Sequence, residues 1–286
     1  MRNILLGTAA FLIASPGLAA TSTPIADSSA VSGLGVRNIG SAQMSGRISA
    51  LAAHREPDGK TTLFVGAASG GVWKSEDGGM SFRPVFDRQP VQSIGDIAID
   101  PSNPKIVWVG TGESWTRNSV SIGNGIYKSV DGGETWTWLG LPNSERITRV
   151  LVDPKDGNTV YVCAPGRLWS DSADRGLYKT TDGGRSWSLI VKGANLSTGC
   201  STVAMDPSDH NRLLAGTWDF RRKGYTFRSG GDGPEAPSGS RMMESRDAGR
   251  TWTELNDGNA KGLPKQPWGR VEIAFAPNNP RQVYAF

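Results

Sequence analysis

Two carboxylates in this sequence could act as a general acid and a general base. Asp96 and Glu272 occupy the same position in two of five similar predicted strands. A pair of carboxyl groups flanking a bond is the arrangement that hydrolyses glycosidic linkages. The equivalent positions of the other three strands hold Ala50, Arg149 and Thr202. Because mixed charges at one depth more often neutralise one another and hold water, we expect no catalytic residue in this ring.

A second group of residues could bind a ligand without transforming it. Three connections between predicted strands contain tryptophan, arginine and acidic residues beyond what a short turn needs. Aromatic rings and guanidinium groups bind glycans, carboxylates and the centres of protein interfaces. The alternative is that these side chains pack between the repeated units. The candidate ligand-binding residues are Glu113, Trp115, Arg117, Trp169, Asp171, Trp218, Arg221 and Arg222.

The elements that position these residues are defined by an eight-residue motif that occurs four times. Each copy reads Ser/Thr-x-Asp-Gly/Ala-Gly-x-Ser/Thr-aromatic. The aspartate can accept hydrogen bonds from the backbone N–H groups that follow it, and the glycines allow the positive φ of a tight turn. The motif therefore predicts a hairpin turn, here called the Asp turn, whose aspartate is structural. The four aspartates are Asp77, Asp131, Asp182 and Asp247.

Strands that end in a proline turn alternate with the Asp turns. These proline turns follow four predicted strands and contain Pro101, Pro154, Pro207 and Pro277. Each is followed by another strand, so one repeat has four short strands in roughly 50 residues, which is typical of a β-propeller blade. The sequence predicts an all-β propeller with four blades and the first two strands of a fifth, in a ring completed by sequence beyond this chain. The Asp and proline turns should share one face, and the candidate ligand-binding residues should lie on the other.

The two cysteines and two histidines lack the spacing of metal ligands, so we expect neither a metal nor another cofactor. Cys163 ends the second strand of one predicted blade, and Cys200 begins the first strand of the next. These strand ends should lie on the same face of adjacent blades. The two residues either form a disulfide between blades or remain as buried thiols.

The Asp turns resemble the Asp-boxes of the BNR superfamily of β-propellers. This superfamily includes sialidases, xyloglucanase-type glycoside hydrolases, sortilin-like receptor domains and a photosystem II assembly factor. The segments 66–75 and 109–114 are most similar to large secreted bacterial proteins with BNR-like or sortilin-like repeats. The resemblance covers about residues 36–286. It implies the fold and says little about function, because the repeated residues are structural.

The resemblance also implies which residues an enzyme of this superfamily would need. Sialidases have a Phe-Arg-Ile-Pro motif ahead of the first Asp-box, whereas Phe82-Arg83-Pro84 lies inside a predicted outer strand. Xyloglucanase-type enzymes place a catalytic aspartate two residues before a Gly-Gly-aromatic stretch, and Ala68 stands at that place. An inverting hydrolase without its base has no activated water.

We therefore expect a module that binds protein segments or glycans through the face opposite the Asp turns. The alternative is a glycoside hydrolase, sialidase-like or xyloglucanase-like, with catalytic residues partly outside this chain. A third interpretation is an assembly factor that docks onto a larger envelope complex.

The first twenty residues have the pattern of a secretory signal peptide. Arg2 supplies a positive start, residues 4–13 are an apolar run, and residues 17–20 are small. We expect a flexible leader at residues 21–35 and the propeller at residues 36–286. No segment is long enough to span a bilayer, and a net charge of +4 is too small to favour nucleic acid. The sequence thus predicts a secreted or periplasmic protein.

Overall fold

The structure is a computed structural model that describes residues 47–115, 117, 120–231, 237–255, 260 and 262–286. The predicted signal peptide and leader lie outside these residues. All regular secondary structure in the described part is β-strand, and the strands form successive antiparallel sheets. The described part contains no helix that is long and apolar enough to cross a membrane.

Three blades have the predicted four strands in the order of the sequence. Blade 1 contains β1 (Ile48–Arg55), β2 (Thr61–Ala67), β3 (Val72–Ser75) and β4 (Arg83–Pro84). Blade 2 contains β5 (Ile94–Ile99), β6 (Val107–Thr111), β7 (Ile126–Ser129) and β8 (Thr137–Trp138). Blade 3 contains β9 (Arg149–Asp153), β10 (Asp156–Ala164), β11 (Gly176–Thr180) and β12 (Ser188–Lys192).

Blade 4 departs from this pattern by one added strand. It contains β13 (Thr198–Met205), β14 (Leu213–Lys223), β15 (Thr226–Ser229), β16 (Met242–Ser245) and β17 (Thr253–Leu255). Its four-stranded sheet has the order β13-β14-β16-β17, and β15 pairs only with the far end of β14. The fifth sheet pairs β18 (Ile273–Ala276) with β19 (Asn279–Ala285). The prediction of four blades and two strands of a fifth is confirmed.

The Asp turns have the hydrogen bonds that their sequence predicts. In blade 2, Asp131 Oδ1 accepts the backbone N–H groups of Glu134 at 3.0 Å and Thr135 at 2.9 Å. The hydroxyl of Ser129 donates to the same oxygen at 2.7 Å. The N–H of Gly132 donates to the carbonyl of Lys105 in the proline turn of the same blade, at 2.8 Å. The Asp turn and the proline turn therefore lie on one face.

The Asp turn of blade 2 also attaches this blade to blade 1. Gly133 has a φ of +91°, and a Cβ added there would lie 2.8 Å from the ring of Phe64 in blade 1. The indole N–H of Trp136 donates to the carbonyl of Val85 at 2.8 Å. Its ring packs edge-on against Phe86, with the centroids 5.2 Å apart. The repeated aromatic residue thus contributes to the apolar layer between two blades.

Buried apolar clusters fill the spaces between successive blades. Blades 1 and 2 share a cluster that includes Phe64 and Val109, and blades 2 and 3 share one that includes Trp108 and Val160. Between blades 3 and 4, Cys163 on β10 and Cys200 on β13 are buried and joined as a disulfide. The chain thus forms covalent as well as apolar contacts between these two blades.

Candidate functional site

The three connections that carry the candidate ligand-binding residues are called the insertions of blades 2, 3 and 4. On the face opposite the Asp turns, the insertion of blade 4 forms a β-hairpin. The sequence predicts a connecting loop at residues 218–225, whereas the structure continues β14 to Lys223 and turns back into β15. This pairing satisfies backbone groups that a loop would leave to water. The hairpin is also hydrogen-bonded to neighbouring segments. The backbone N–H of Phe220 donates to the carbonyl of Ser197, just before β13, and that of Arg222 donates to the carbonyl of Leu168 in blade 3.

The insertions of three blades meet in a small apolar cluster beneath this hairpin. Leu168 from blade 3 and Trp218 and Phe220 from blade 4 are buried together, and Val120 from blade 2 packs against them. Trp218 is 4% exposed, and its ring is stacked on Phe220 with the centroids 4.3 Å apart. For Trp218, the structure therefore favours packing over ligand contact.

A cavity of about 830 Å³ lies beside this cluster. Its walls come from the blade 3 insertion, the blade 4 hairpin and the segments 194–197 and 237–241. Three of the candidate residues line it: Trp169, Asp171 and Arg221. Trp169 is 52% exposed, and Arg221 forms an ion pair with Asp171. A cavity of this size suits a ligand of several hundred daltons.

The wall of the cavity is held by a buried carboxylate. Asp219 accepts hydrogen bonds from Asn195 at 3.0 Å, Ser197 at 2.7 Å and the N–H of Gly239 at 3.0 Å. Arg228 adds a charged contact at 3.0 Å. Burial alone would raise the pKa of Asp219, but these hydrogen bonds and the charge of Arg228 hold that pKa below its usual value. Asp219 therefore stays ionised and joins three segments of the wall.

The remaining candidate residues do not line the cavity. Glu113 is buried and bonded to Arg47, so it has no exposed surface for a ligand. Trp115 is 58% exposed, and the guanidinium of Arg270 lies 4.7 Å from its ring centroid. Arg117 is exposed. Arg222 is buried, with its guanidinium 5.9 Å from the ring of Trp169 and 5.2 Å from that of Phe227.

Four of the five positions of the predicted polar ring lie on the first strands of blades 1 to 4, and Glu272 directly precedes β18. Asp96 on β5 is half-buried, and burial raises its pKa to about 6 against the opposing charge of Arg149. Its carboxylate accepts the N–H of Val150 at 2.7 Å. Glu272 contacts the guanidinium of Arg270 at 2.7 Å. Both carboxylates thus have partners within the protein. In the described residues, no group of three or more His, Cys, Asp or Glu side chains could hold a metal ion.

Sequence reasoning missed four polar residues that build the cavity. Asp219 and Lys223 lie inside the segment recognised as the blade 4 insertion, but nothing in the sequence distinguishes them from their neighbours. Arg228 and Arg241 flank a Gly-, Ser- and Pro-rich stretch that has no counterpart in the other blades. That break in the repeat was the available signal for a site at this place.

Comparison with known proteins places the chain in a family. The sequence model of the Sortilin-Vps10 family, described as sortilin, neurotensin receptor 3, matches residues 70–223, more than half of the chain. The chain belongs to the Sortilin-Vps10 family. The predicted resemblance to sortilin-like Asp-box propellers is thereby confirmed.

The individual relatives of this Sortilin-Vps10 family member include glycoside hydrolases. A probable oligoxyloglucan-reducing end-specific xyloglucanase of Neosartorya fischeri is 37% identical over 101 residues, 33% of this chain and 10% of that protein. The xyloglucanase Xgh74A of Acetivibrio thermocellus is 24% identical over 227 residues, 73% of this chain and 25% of that protein. The chain thus spans a quarter or less of the length of these two relatives.

A solved structure shows the same fold. The GH74 xyloglucanase from Xanthomonas campestris matches with a TM-score of 0.53 and 20% sequence identity, covering 78% of this chain and 33% of that chain. At this level of identity, the likeness supports the propeller architecture and carries no statement about activity.

Proposed function

We propose that this chain is the glycan-binding propeller of an exported protein that acts on polysaccharides. Its binding site is the cavity between the insertions of blades 3 and 4. The observation that carries the proposal is the combination in this cavity of the half-exposed ring of Trp169 with the exposed hydroxyl of Ser170 and the amide NH2 of Asn195, one hydrogen of which is donated to Asp219. Sugar rings present an apolar face that stacks on aromatic rings and hydroxyls that need hydrogen-bond partners.

The named relatives support a glycan over a protein ligand. Two of the proteins that match this chain are called xyloglucanases, and both names refer to a glycan. Export is supported by the apolar run and small residues of the first twenty positions. Binding by this propeller is compatible with hydrolysis elsewhere in the protein.

Hydrolysis by the propeller itself is the second candidate function, and the xyloglucanase relatives favour it. The residues present here oppose it. Ala68, at the place where xyloglucanase-type enzymes carry their aspartate, is fully buried and has no acidic group. Asp96 already accepts a backbone N–H. A hydrolase would therefore need catalytic carboxylates other than those at these two positions. Release of reducing sugar by the protein, lost on substitution of other carboxylates, would favour this candidate.

The test of glycan binding compares two tryptophans in the full-length protein. Trp169 lines the cavity, and Trp138, which is 48% exposed on the outer strand of blade 2, is its matched control. Each is changed to Ala, and binding is measured on an array of plant and microbial oligosaccharides and then by calorimetry. We expect Trp169→Ala to weaken binding by at least about tenfold and Trp138→Ala to leave it within about twofold. Equal affinities for both variants, or an absence of glycan binding by the unmodified protein, would refute the proposal.

A further inference from the structure

Among the described residues that line the cavity between blades 3 and 4, cationic side chains outnumber acidic ones. Four cationic side chains line it, Arg221, Lys223, Arg228 and Arg241, and Asp171 is the only acidic side chain among the described lining residues. Asp171 is paired with Arg221. We infer that the ligand of this cavity is an acidic glycan, bound through carboxylate or sulfate groups on its sugar rings. This inference rests on the proposed function.

Two of these guanidinium groups are oriented by acidic side chains that lie outside the cavity lining. Arg228 contacts the buried Asp219 at 3.0 Å. Arg241 contacts Glu254 through Nε at 3.0 Å and donates to the carbonyl of Ser238 through Nη1 at 2.6 Å. Neither Asp219 nor Glu254 is among the residues that line the cavity. The acids therefore fix the orientation of the arginines without occupying the space that a ligand would fill, which lowers the entropic cost of binding an anion.

Arg241 and Lys223 keep hydrogen-bond donors that could bind a ligand. The described hydrogen bonds of Arg241 use Nε and Nη1, and no described residue accepts a hydrogen bond from its Nη2. Lys223 is exposed at the end of β14 and forms no ion pair with a described residue. A guanidinium presents up to five N–H donors in a fork that matches a carboxylate or a sulfate. Lys223 adds a mobile point charge at the rim.

A neutral glycan fits the lining less well. Trp169 is the only aromatic residue among the described residues that line the cavity, so stacking would be limited to one sugar ring. Most of the remaining large lining side chains are cationic, and their charges gain little from neutral hydroxyls. An acidic glycan would use the single stacking platform and the cations together. An acidic peptide shares the charge but not the flat apolar face that the ring of Trp169 accommodates.

The experiment measures affinity for matched acidic and neutral probes with the full-length protein. The probes are an oligogalacturonate, a sulfated galactan oligosaccharide, their neutral counterpart oligogalactan, a xyloglucan oligosaccharide and a poly-glutamate peptide. Titrations are run at about 0.05 M and about 0.5 M salt, because screening weakens contacts between exposed charges. We expect at least one acidic glycan to bind about tenfold or more tightly than every neutral glycan at low salt, and to lose most of that advantage at high salt.

Two substitutions locate the effect, and two controls match them. Lys223→Met and Arg241→Gln remove charge from the cavity, whereas Lys105→Met and Arg250→Gln remove the same charge from the exposed Asp-turn face. Each cavity variant should weaken the affinity for the acidic glycan by about fivefold or more and leave the affinity for the neutral glycan within about twofold of the unmodified protein. The control variants should alter neither affinity. Thermal melting of all four variants separates loss of binding from loss of fold.

The outcomes distinguish this inference from the proposed function. If neutral glycans bind as tightly as acidic ones and respond to Trp169→Ala, glycan binding stands and the acidic preference is wrong. If acidic glycans bind but the cavity and control variants behave alike, the site lies elsewhere and the inference is wrong. If the poly-glutamate peptide binds and no glycan does, both the inference and the proposed function are overturned.

Discussion

The carboxylate of Asp96 accepts a hydrogen bond from the backbone N–H of Val150, with oxygen and nitrogen 2.7 Å apart. Asp96 lies on the inner strand of blade 2 and Val150 on that of blade 3, so this contact joins the two blades. The hydrogen bond gives Asp96 a structural role at the junction of the two blades. The position therefore supports the structural interpretation of the polar ring.

The raised pKa of Asp96 makes a prediction about pH. Burial raises this pKa to about 6, while an unfolded aspartate titrates near ~3.9. Folding thus favours the protonated form, so the contribution of Asp96 to stability is largest below pH ~4 and declines as the pH rises towards about 6. Asp96→Asn keeps an oxygen acceptor for Val150 and cannot ionise. We expect this variant to gain stability relative to the unmodified protein between these pH values, in urea unfolding of the full-length protein.

The control for this experiment is Asp87→Asn, which removes a carboxylate from the turn after β4, away from the inner strands. It should not reproduce the change between pH 4 and 6. A constant difference in unfolding free energy between Asp96→Asn and the unmodified protein across this range would show that Asp96 titrates normally and that its burial has little effect.

The sequence predicts the blades well because the signals for them are local. An Asp turn is specified within eight residues, and the described hydrogen bonds of the Asp131 side chain all lie within that segment. Strand pairing then follows from short antiparallel connections. The added strand β15 was missed because the apolar residues of its hairpin pack against Leu168, about fifty positions earlier in the chain.

The sequence does not distinguish candidate residues that are exposed at the cavity from those that are buried, because burial depends on residues far away in the chain. Trp169 and Trp218 both lie in insertions and look equivalent as sequence. Trp218 is buried by Phe220 and Leu168, whereas Trp169 keeps half of its surface open at the cavity. Likewise, Arg241 joins the cavity only because β16 and the segment before it fold back beside the hairpin. Such contacts are not visible in a repeat pattern.

The Asp turn of blade 2 should stabilise the fold in a pH-dependent way. Burial would raise the pKa of Asp131, but hydrogen bonds from Thr135, Ser129 and Glu134 outweigh it and hold that pKa at about 2. Because the folded pKa lies below the unfolded value, the stabilisation is present above pH ~4 and is lost as the pH falls towards 2. We expect Asp131→Ala to lower the free energy of unfolding by about 1 kcal/mol at pH 7 and by less at pH 3.

This variant also tests the structural assignment of the Asp turns. Glycan binding by Asp131→Ala in the full-length protein should equal that of the unmodified protein at temperatures where both are folded. Loss of binding with an unchanged melting temperature would mean that the Asp-turn face contacts the ligand, contrary to our assignment.

The two glycines of an Asp turn should differ in their tolerance of alanine. Gly132 has a φ of +73°, and a Cβ there would meet only the end of Lys74 at 3.6 Å. Ala248 occupies the same place in blade 4 with a φ of 57°. A Cβ on Gly133 would instead lie 2.8 Å from Phe64. We expect Gly132→Ala to cost about 1 kcal/mol and Gly133→Ala at least about 2 kcal/mol, measured by chemical unfolding. Equal losses of unfolding free energy for the two variants would show that the contact between Gly133 and Phe64 relaxes without strain.

The last prediction concerns two tryptophans of the insertion face that the sequence treats alike. Trp218 is 4% exposed, stacks on Phe220 and donates its indole N–H to Ser229 at 2.7 Å, so Trp218→Ala should cost about 3 kcal/mol or more of stability. Trp115 is 58% exposed, and its main described contact is the guanidinium of Arg270 at 4.7 Å. Trp115→Ala should therefore cost about 1 kcal/mol or less. Calorimetric melting of both variants measures the difference. If Trp115→Ala destabilised the protein as much as Trp218→Ala, then the contact between Trp115 and Arg270, which joins the blade 2 insertion to the segment before blade 5, would be a principal support of this face.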